Sequence, residues 1–217
     1  MYLMFTGIVQ EIGTIEKIEP KNGLLEITIS CDELINDLEV GDSIAIDGCC
    51  QTVIASERMR AKQPYTANDT SNFTIQATEE TLQKTIFRNY KEDSKINLEA
   101  PLRVSDKLSG HLVSGHIDDV GEVSSVITFE ENKIIWISFK KDLKEFIAPK
   151  GSISVNGVSL TVIDVKNKEF SFTLIPFTNK NTNLGLIRIG DLVNLEIDLV
   201  SRYLVNYLEG SREKCKS

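Results

Sequence analysis

Apolar and polar residues alternate in short runs along most of the chain. LLEITIS (24–30), DSIAID (42–47), CQTVIA (50–55), NFTIQA (72–77) and KINLEA (95–100) are such runs in the first half. IIWISF (134–139), GSISVN (151–156), LTVIDV (160–165), FSFTLI (170–175) and LVNLEID (192–198) follow in the second. A period of two places one face of a strand in a core, and β-branched and aromatic residues fill these runs. Turn signals at Asp47-Gly48, Asn156-Gly157 and Gly190-Asp191 recur at close spacing, which predicts a small antiparallel barrel in each half. Short helices are expected in DELINDL (32–38) and KKDLKEFI (140–147). After Asp198 the period lengthens: Val200, Tyr203, Leu204, Tyr207 and Leu208 fall at helical spacing, predicting an amphipathic helix. Its apolar face either folds back on its own barrel or meets other chains.

The two halves are copies. GDSIAIDGCCQTV (41–53) aligns with KGSISVNGVSLTV (150–162) at an offset of 109, and residues 73–99 align with 170–196 at an offset of 97. Gly7-Ile8-Val9 and Gly13 face Gly115-His116-Ile117 and Gly121 at an offset of 108. Three blocks in one order indicate duplication. The fall in offset places about twelve extra residues in the first half, within the loop at 55–72, where Pro64, Asn68, Asp69 and Ser71 supply turn chemistry. The predicted organisation is all-β: two tandem Greek-key barrels, at 1–104 and 105–199, with a C-terminal helix and tail at 200–217.

Composition narrows the function. Twenty-four Lys and Arg against 32 Asp and Glu give a formal charge of -8, with no basic stripe, so nucleic acid is not an expected partner. Hydrophobic content of 41% and a mean hydropathy of -0.11 describe a globular protein, and no apolar run approaches the ~20 residues that span a bilayer. The opening MYLMFTGIV carries no basic region or cleavage site, so a cytoplasmic protein is expected. Cys31, Cys49, Cys50 and Cys215 form no C-x-x-C pair, which suits neither a disulfide framework nor a zinc site.

Chemistry has few carriers. Both histidines, His111 and His116, lie in the junction SGHLVSGH; they are turn or core residues satisfied by neighbouring backbone, or a proton-transfer group. Read as a strand, their spacing sends the rings to opposite faces, which disfavours a shared metal. Cys50 and Thr52 match Ser159 and Thr161, so each half repeats two small hydrogen-bonding side chains on one strand face, suited to the edge of a heterocycle. Taken singly, such a pair is a buried Cys beside a strand Thr. Thr81 and Thr178 add an equivalent hydroxyl. Asp198 ends a strand where a helix begins and is either functional or an N-cap. Lys150 stands where the first half has Gly41.

These residues carry a resemblance. MFTGIVQEIG (4–13), CCQTV (49–53), VSLTV (158–162), GHLVSGHID (110–118) and GDLVNLEID (190–198) together resemble the riboflavin synthase family along almost the entire chain. The resemblance implies a transferase without metal or cofactor that converts two molecules of 6,7-dimethyl-8-ribityllumazine into riboflavin and 5-amino-6-(D-ribitylamino)uracil. It implies a homotrimer in which the first barrel of one subunit faces the second barrel of a neighbour, and a partnership with lumazine synthase is a further possibility. Gly7, Ile8 and Val9 with Cys50, Gln51, Thr52 and Gln76, Ala77, Thr78, Glu79, Glu80 and Thr81 correspond to the family's first pocket. Lys150, Ser159, Leu160, Thr161, Ile175, Pro176, Phe177, Thr178 and Asn179 correspond to the second, with Gly115, His116 and Ile117 near the first. Phe5, Ser43, Cys50, His116, Ser159 and Asp198 match positions around the reacting carbons. His116 is the expected proton-transfer group, with Ser43, paired to Asp198 across a subunit boundary, or Cys50 activating the nucleophile.

The sequence departs from the family pattern at Glu79-Glu80, Phe177, Ser109 and Asp93-Ser94. Two other readings compete: an antenna-type protein that binds lumazine or flavin without turnover, and a flavin-binding barrel of the ferredoxin-reductase type. The duplication, and the lack of a following G-x-G-x-x-G unit, weigh against the latter.

Overall fold

A computed structural model describes residues 4–57, 71–140 and 143–214. Most of the enlarged loop at 55–72, the start of the expected helix at 140–147, and Cys215 lie outside the described residues. The first half supplies β1 (Glu11–Lys21), β2 (Leu24–Ser30), β3 (Ser43–Ile46), β4 (Cys49–Glu57), β5 (Asn72–Ala77) and β6 (Lys95–Glu99). The second supplies β7 (Asp119–Phe129), β8 (Asn132–Ser138), β9 (Ser152–Val155), β10 (Val158–Lys166), β11 (Glu169–Leu174) and β12 (Leu192–Ile197). Each set closes into an antiparallel barrel, and the cyclic orders β1-β2-β5-β4-β3-β6 and β7-β8-β11-β10-β9-β12 are the same. Each barrel has its own core: Ile15, Ile27, Ile29, Phe73 and Leu98 in the first; Val123, Ile137, Phe170, Phe172 and Leu195 in the second.

The opening strands β1 and β7 are absent from the alternation read above. Each carries a bulge, between Ile15 and Lys17 and between Val123 and Ser125, where the register shifts by a residue. A bulge reverses the inward phase midway; the bulged β4 and β10 keep three buried positions in phase before it, whereas β1 and β7 place Gly13, Asp119 and Gly121 at such positions. The expected helices at 32–38 and 140–147 are single 3-10 turns at Leu34–Asn36 and Lys144–Phe146. Two short helices not foreseen from the pattern, α1 (Glu79–Lys84) and α2 (Pro176–Asn181), follow β5 and β11. Thr78 caps α1 by accepting from the Thr81 N–H. The predicted C-terminal helix is α3 (Leu199–Lys214), tied to the second barrel by an Arg202–Asp118 ion pair at 2.7 Å. Val200, Tyr203, Leu204, Tyr207 and Leu208 remain exposed within the single chain.

The barrels meet where their tight turns touch. Asp47-Gly48 and Asn156-Gly157 both have positive φ at both residues, the geometry of two-residue hairpin turns that match strand twist. A Cβ on Gly48 would lie 2.7 Å from the Gly157 nitrogen, and one on Gly157 the same distance from the Gly48 nitrogen. Only glycine permits both the conformation and the approach.

A buried polar network surrounds this contact and nearly obeys the repeat. Asn97 Nδ2 donates to the Asn156 carbonyl (2.8 Å) and Asn194 Nδ2 to the Asp47 carbonyl (2.9 Å). The Asn183 N–H donates to Asn97 Oδ1 (2.7 Å) and the Ile86 N–H to Asn194 Oδ1 (2.9 Å). Asp47 breaks the symmetry, since its counterpart is Asn156. Its Oδ1 accepts from the Asn97 N–H and from Asn183 Nδ2, and its Oδ2 from the Tyr90 hydroxyl.

Burial pushes the Asp47 carboxyl up to about 7, with the Asn97, Tyr90 and Asn183 hydrogen bonds opposing the shift. A folded-state pKa above the ordinary aspartate value means the native chain holds the extra proton. The associated stability is full below the ordinary range and is lost as pH rises through about 7. Thermal unfolding across this window should show the wild type losing stability on going from acid to neutral pH. Asp47→Asn, which copies Asn156, should flatten that slope; an unchanged slope would place the titration elsewhere.

Candidate functional site

The segments that precede β1 and β7 cross between the halves. Phe5 and Val113 pair as an antiparallel bridge, with Phe5 N–H donating to the Val113 carbonyl (2.8 Å) and Val113 N–H to the Phe5 carbonyl (3.1 Å). Phe5 is fully buried against Ala45, Val113 and Cys50. Beyond this bridge each segment lies on the opposite barrel. The Ser159 N–H donates to the Gly7 carbonyl (2.7 Å), and the Cys50 N–H donates to the Gly115 carbonyl (2.9 Å). Gly7 and Gly115 have φ of +74° and +80°, and a Cβ on either would lie 2.6 Å from the Cβ of Ser159 or Cys50.

This corrects the expected grouping of Gly7, Ile8 and Val9 with Cys50. They lie on the second barrel, because the bridge at Phe5–Val113 directs each segment away from the barrel it will enter. Gly115, His116 and Ile117 do sit at the first pocket. There, with Cys49, Cys50, Gln51, Glu80, Thr81, Lys84 and Thr85, they line a cavity of about 290 Å³.

The place on the second barrel that matches this cavity has the same plan and a different polarity. Cys50 and Ser159 are both half-buried and directed under a glycine lip. Thr52 and Thr161, two residues on, are exposed, while Gln51 and Leu160 between them are buried. Gln51 Nε2 donates to the Cys50 carbonyl (2.8 Å), whereas its counterpart Leu160 is apolar. In the first pocket the Ser43 hydroxyl is near enough to the Cys50 thiol to hold its pKa down. In the second, Ser159 Oγ lies 2.7 Å from His111 Nδ1.

Thr178 and Asn179 are half-buried on α2, with Ile175, Pro176 and Phe177 exposed beside them. Lys150 is exposed at the entry to β9, with its N–H donating to the Val162 carbonyl. Gln76 and Ala77 point elsewhere: Gln76 Nε2 donates to Glu26 (2.8 Å), and Ala77 is fully buried in the first core. Glu79 is engaged by Gln83 and Arg88 on the outer side of α1.

The junction holding both histidines is not a strand, and Val113 makes its one bridge. His111 is buried and His116 exposed. Burial pushes the His111 pKa down, opposed by the negative charge of Asp198. Asp198 caps α3, its Oδ1 accepting from the Val200 N–H (2.8 Å). Two residues missed in the sequence hold the lips. Glu99 and Glu196 occupy matching places in KINLE and LVNLE, and each accepts from a hydroxyl and two backbone N–H groups of a crossing segment. Their position in a repeated block was the available signal. Among the described residues no cluster of three His, Cys, Asp or Glu is placed to hold a metal ion, and no helix is long and apolar enough to cross a membrane.

Residues 6–101 and 114–198 each match the lumazine binding domain. Relatives named riboflavin synthase align over nearly their full length. That of Actinobacillus pleuropneumoniae is 36% identical over 94% of this chain and 90% of its own, and that of Photobacterium leiognathi 38% identical over 96% and 91%. The Bacillus subtilis enzyme is 34% identical over 97% and 92%.

The chain belongs to the riboflavin synthase family.

Among solved structures, LumP complexed with riboflavin superposes with a TM-score of 0.76 at 27% identity, covering 89% of this chain and 99% of LumP. LumP complexed with 6,7-dimethyl-8-(1'-D-ribityl) lumazine gives 0.73 at 25% identity, covering 89% and 98%. Both share the duplicated barrel.

The thiols are placed to be quiet. Burial raises the Cys50 pKa, offset in part by the Ser43 hydroxyl and reinforced by the charge of Glu196. Burial pushes Cys31 and Cys49 up to about 12. Iodoacetamide pulses near neutral pH, read by peptide mass spectrometry, should therefore modify Cys50 about tenfold or more slowly than a small free thiol. Cys31 and Cys49 should be slower again. Fast labelling of Cys50 would mean that a thiolate forms in the first pocket.

Proposed function

We propose that this protein catalyses the dismutation of two molecules of 6,7-dimethyl-8-ribityllumazine, moving a four-carbon unit from one to the other to give riboflavin and 5-amino-6-(D-ribitylamino)uracil. One observation carries the reading: the lip of Gly115 over Cys50, which borders the first cavity, has a counterpart on the second barrel in the lip of Gly7 over Ser159, with matching threonines and a different side chain beneath. Like substrates need like pockets, and unlike roles need different chemistry within them. The sum of two lumazines equals the sum of the products, so no external oxidant or reductant is required. Holding both reactants converts a bimolecular encounter into a pre-oriented one.

In this reading a proton leaves the C7 methyl of one lumazine, and C7 of the other is attacked by water or a side-chain hydroxyl. His116, exposed in the lip of the first pocket, takes or returns the methyl proton. Ser159, hydrogen-bonded to His111, and Ser43, beside Cys50, are the hydroxyls available to the nucleophilic step. Asp198 lies close enough to act on His111. The exposed stripe of α3 supports a homotrimer in which first and second pockets of neighbouring chains face each other.

Purified protein incubated with the lumazine should yield equal amounts of riboflavin and the diaminopyrimidine. Binding without product would make it a carrier of the antenna type. His116→Ala should lower kcat by about 10²- to 10⁴-fold while changing lumazine affinity much less. Weaker affinity at full kcat would assign His116 to ligand positioning.

Assembly gives a separate test. A chain ending at Val200 loses the stripe but neither core, so it should fold and bind lumazine, sediment as a smaller species, and turn over poorly. Full turnover by a dilute truncated monomer would require both pockets to react within one chain.

A further inference from the structure

We propose that Glu99 and Glu196 are positioning residues that act crosswise: Glu196, in the second barrel, forms the lip of the first pocket, and Glu99, in the first barrel, forms the lip of the second. The two carboxylates are buried at 2% and 5% exposure, for Glu196 and Glu99 in turn, at the same place in β12 and β6. Glu196 Oε1 accepts from the Ser114 N–H (2.7 Å) and Ser114 hydroxyl (2.6 Å), and Oε2 from the Gly115 N–H (3.0 Å). Glu99 Oε1 accepts from the Thr6 N–H (2.6 Å) and Thr6 hydroxyl (2.7 Å), and Oε2 from the Gly7 N–H (3.1 Å). Each side chain thus fixes both the residue before a lip glycine and the glycine itself.

The lip then crosses the seam. With its N–H held by Glu196, Gly115 turns its carbonyl onto the Cys50 N–H and presents His116 to the first cavity. With its N–H held by Glu99, Gly7 turns its carbonyl onto the Ser159 N–H and presents Ile8. A loop with positive φ and a carbonyl committed to another barrel has no regular structure to hold it in place. Three charge-assisted hydrogen bonds supply what a strand ladder would otherwise supply. All three partners are donors, so the carboxylate is the form that fits. Glutamine would turn its NH2 group toward one of them.

Ionisation of these groups is resisted by their surroundings. Burial raises the Glu196 carboxyl to about 7; hydrogen bonds from Ser114 and Gly115 oppose this and the charge of Asp118 adds to it. Burial likewise raises Glu99 against its bonds to Thr6 and Gly7. The charged and titratable groups around Glu196 are Asp118, itself held by Arg202, with the thiols of Cys49 and Cys50 across the seam.

The crosswise claim is tested by hydrogen–deuterium exchange on the full chain, with and without 6,7-dimethyl-8-ribityllumazine. Without ligand, Glu196→Gln should speed exchange at residues 114–117 by about tenfold or more, and Glu99→Gln should do so at residues 6–9. With ligand, Glu196→Gln should lose lumazine protection at 49–52 and 78–85 but keep it at 158–161 and 175–182. Glu99→Gln should show the reverse. Protection retained at the remote pocket also reports that the variant is folded.

Gly115→Ala displaces the same lip without touching the carboxylate and should reproduce the Glu196→Gln pattern. First-pocket affinity in the wild type should weaken on acidification below about pH 7 more than in Glu196→Gln, since protonation removes an acceptor facing Gly115. His116 is present in both proteins, so the difference between the profiles isolates Glu196. Unchanged lip exchange, or equal loss at both pockets in either variant, would overturn the proposal. The ligand arms rest on the lumazine reading. If lumazine protects neither pocket of the wild type, that reading fails, and the ligand-free exchange at 114–117 and 6–9 still decides the clamp.

Discussion

The structure depends on the closeness of two turns. Asp47-Gly48 and Asn156-Gly157 meet backbone to backbone, and the absence of any Cβ at the glycines lets twelve strands from two closed barrels share one polar seam. Turns this close leave no room for apolar side chains between them, so their carbonyls and N–H groups must be paired in place. Asn97 and Asn194 do this reciprocally, each spanning the seam with its amide. Buried polar groups paired in this way specify one arrangement of the barrels, because sliding one against the other would strand several donors and acceptors at once.

From that arrangement follows the exchange of entry segments. Phe5 and Val113 pair beside the turns, and the chain on each side then continues onto the barrel it does not belong to before entering its own at β1 or β7. The cavity at Cys50 is therefore not the product of one half.

The repeat is most informative where it fails. Cys50 faces Ser159, Gln51 faces Leu160, Lys84 faces Asn181 and His116 faces Ile8, all at or beside the pockets, while the lip glycines, the clamping glutamates and Thr52 and Thr161 are retained. Backbone-shaping positions tolerate little change because φ and close approach constrain them. The divergent side chains leave the first site more polar and ionisable, and the second more apolar with His111 buried behind Ser159.

By itself the sequence determined the duplicated all-β architecture, the hairpin turns, the C-terminal helix and its uncovered stripe, because strand and helix periods and the glycine turns are local properties of the chain. It also marked Cys50, Thr52, Ser159 and Thr161, since duplication writes equivalent sites at fixed offsets. The opening strands β1 and β7 escaped it because a bulge reverses their phase midway and Gly13, Asp119 and Gly121 stand where alternation needs apolar side chains. The crossing of the segments, the partnership of His111 with Ser159, and the hold of Glu99 and Glu196 on the lips were decided only in three dimensions. Each joins residues from about 50 to more than 150 positions apart across a seam set by nonlocal packing, and nothing in the local period of a chain records which barrel a flanking segment will lie upon.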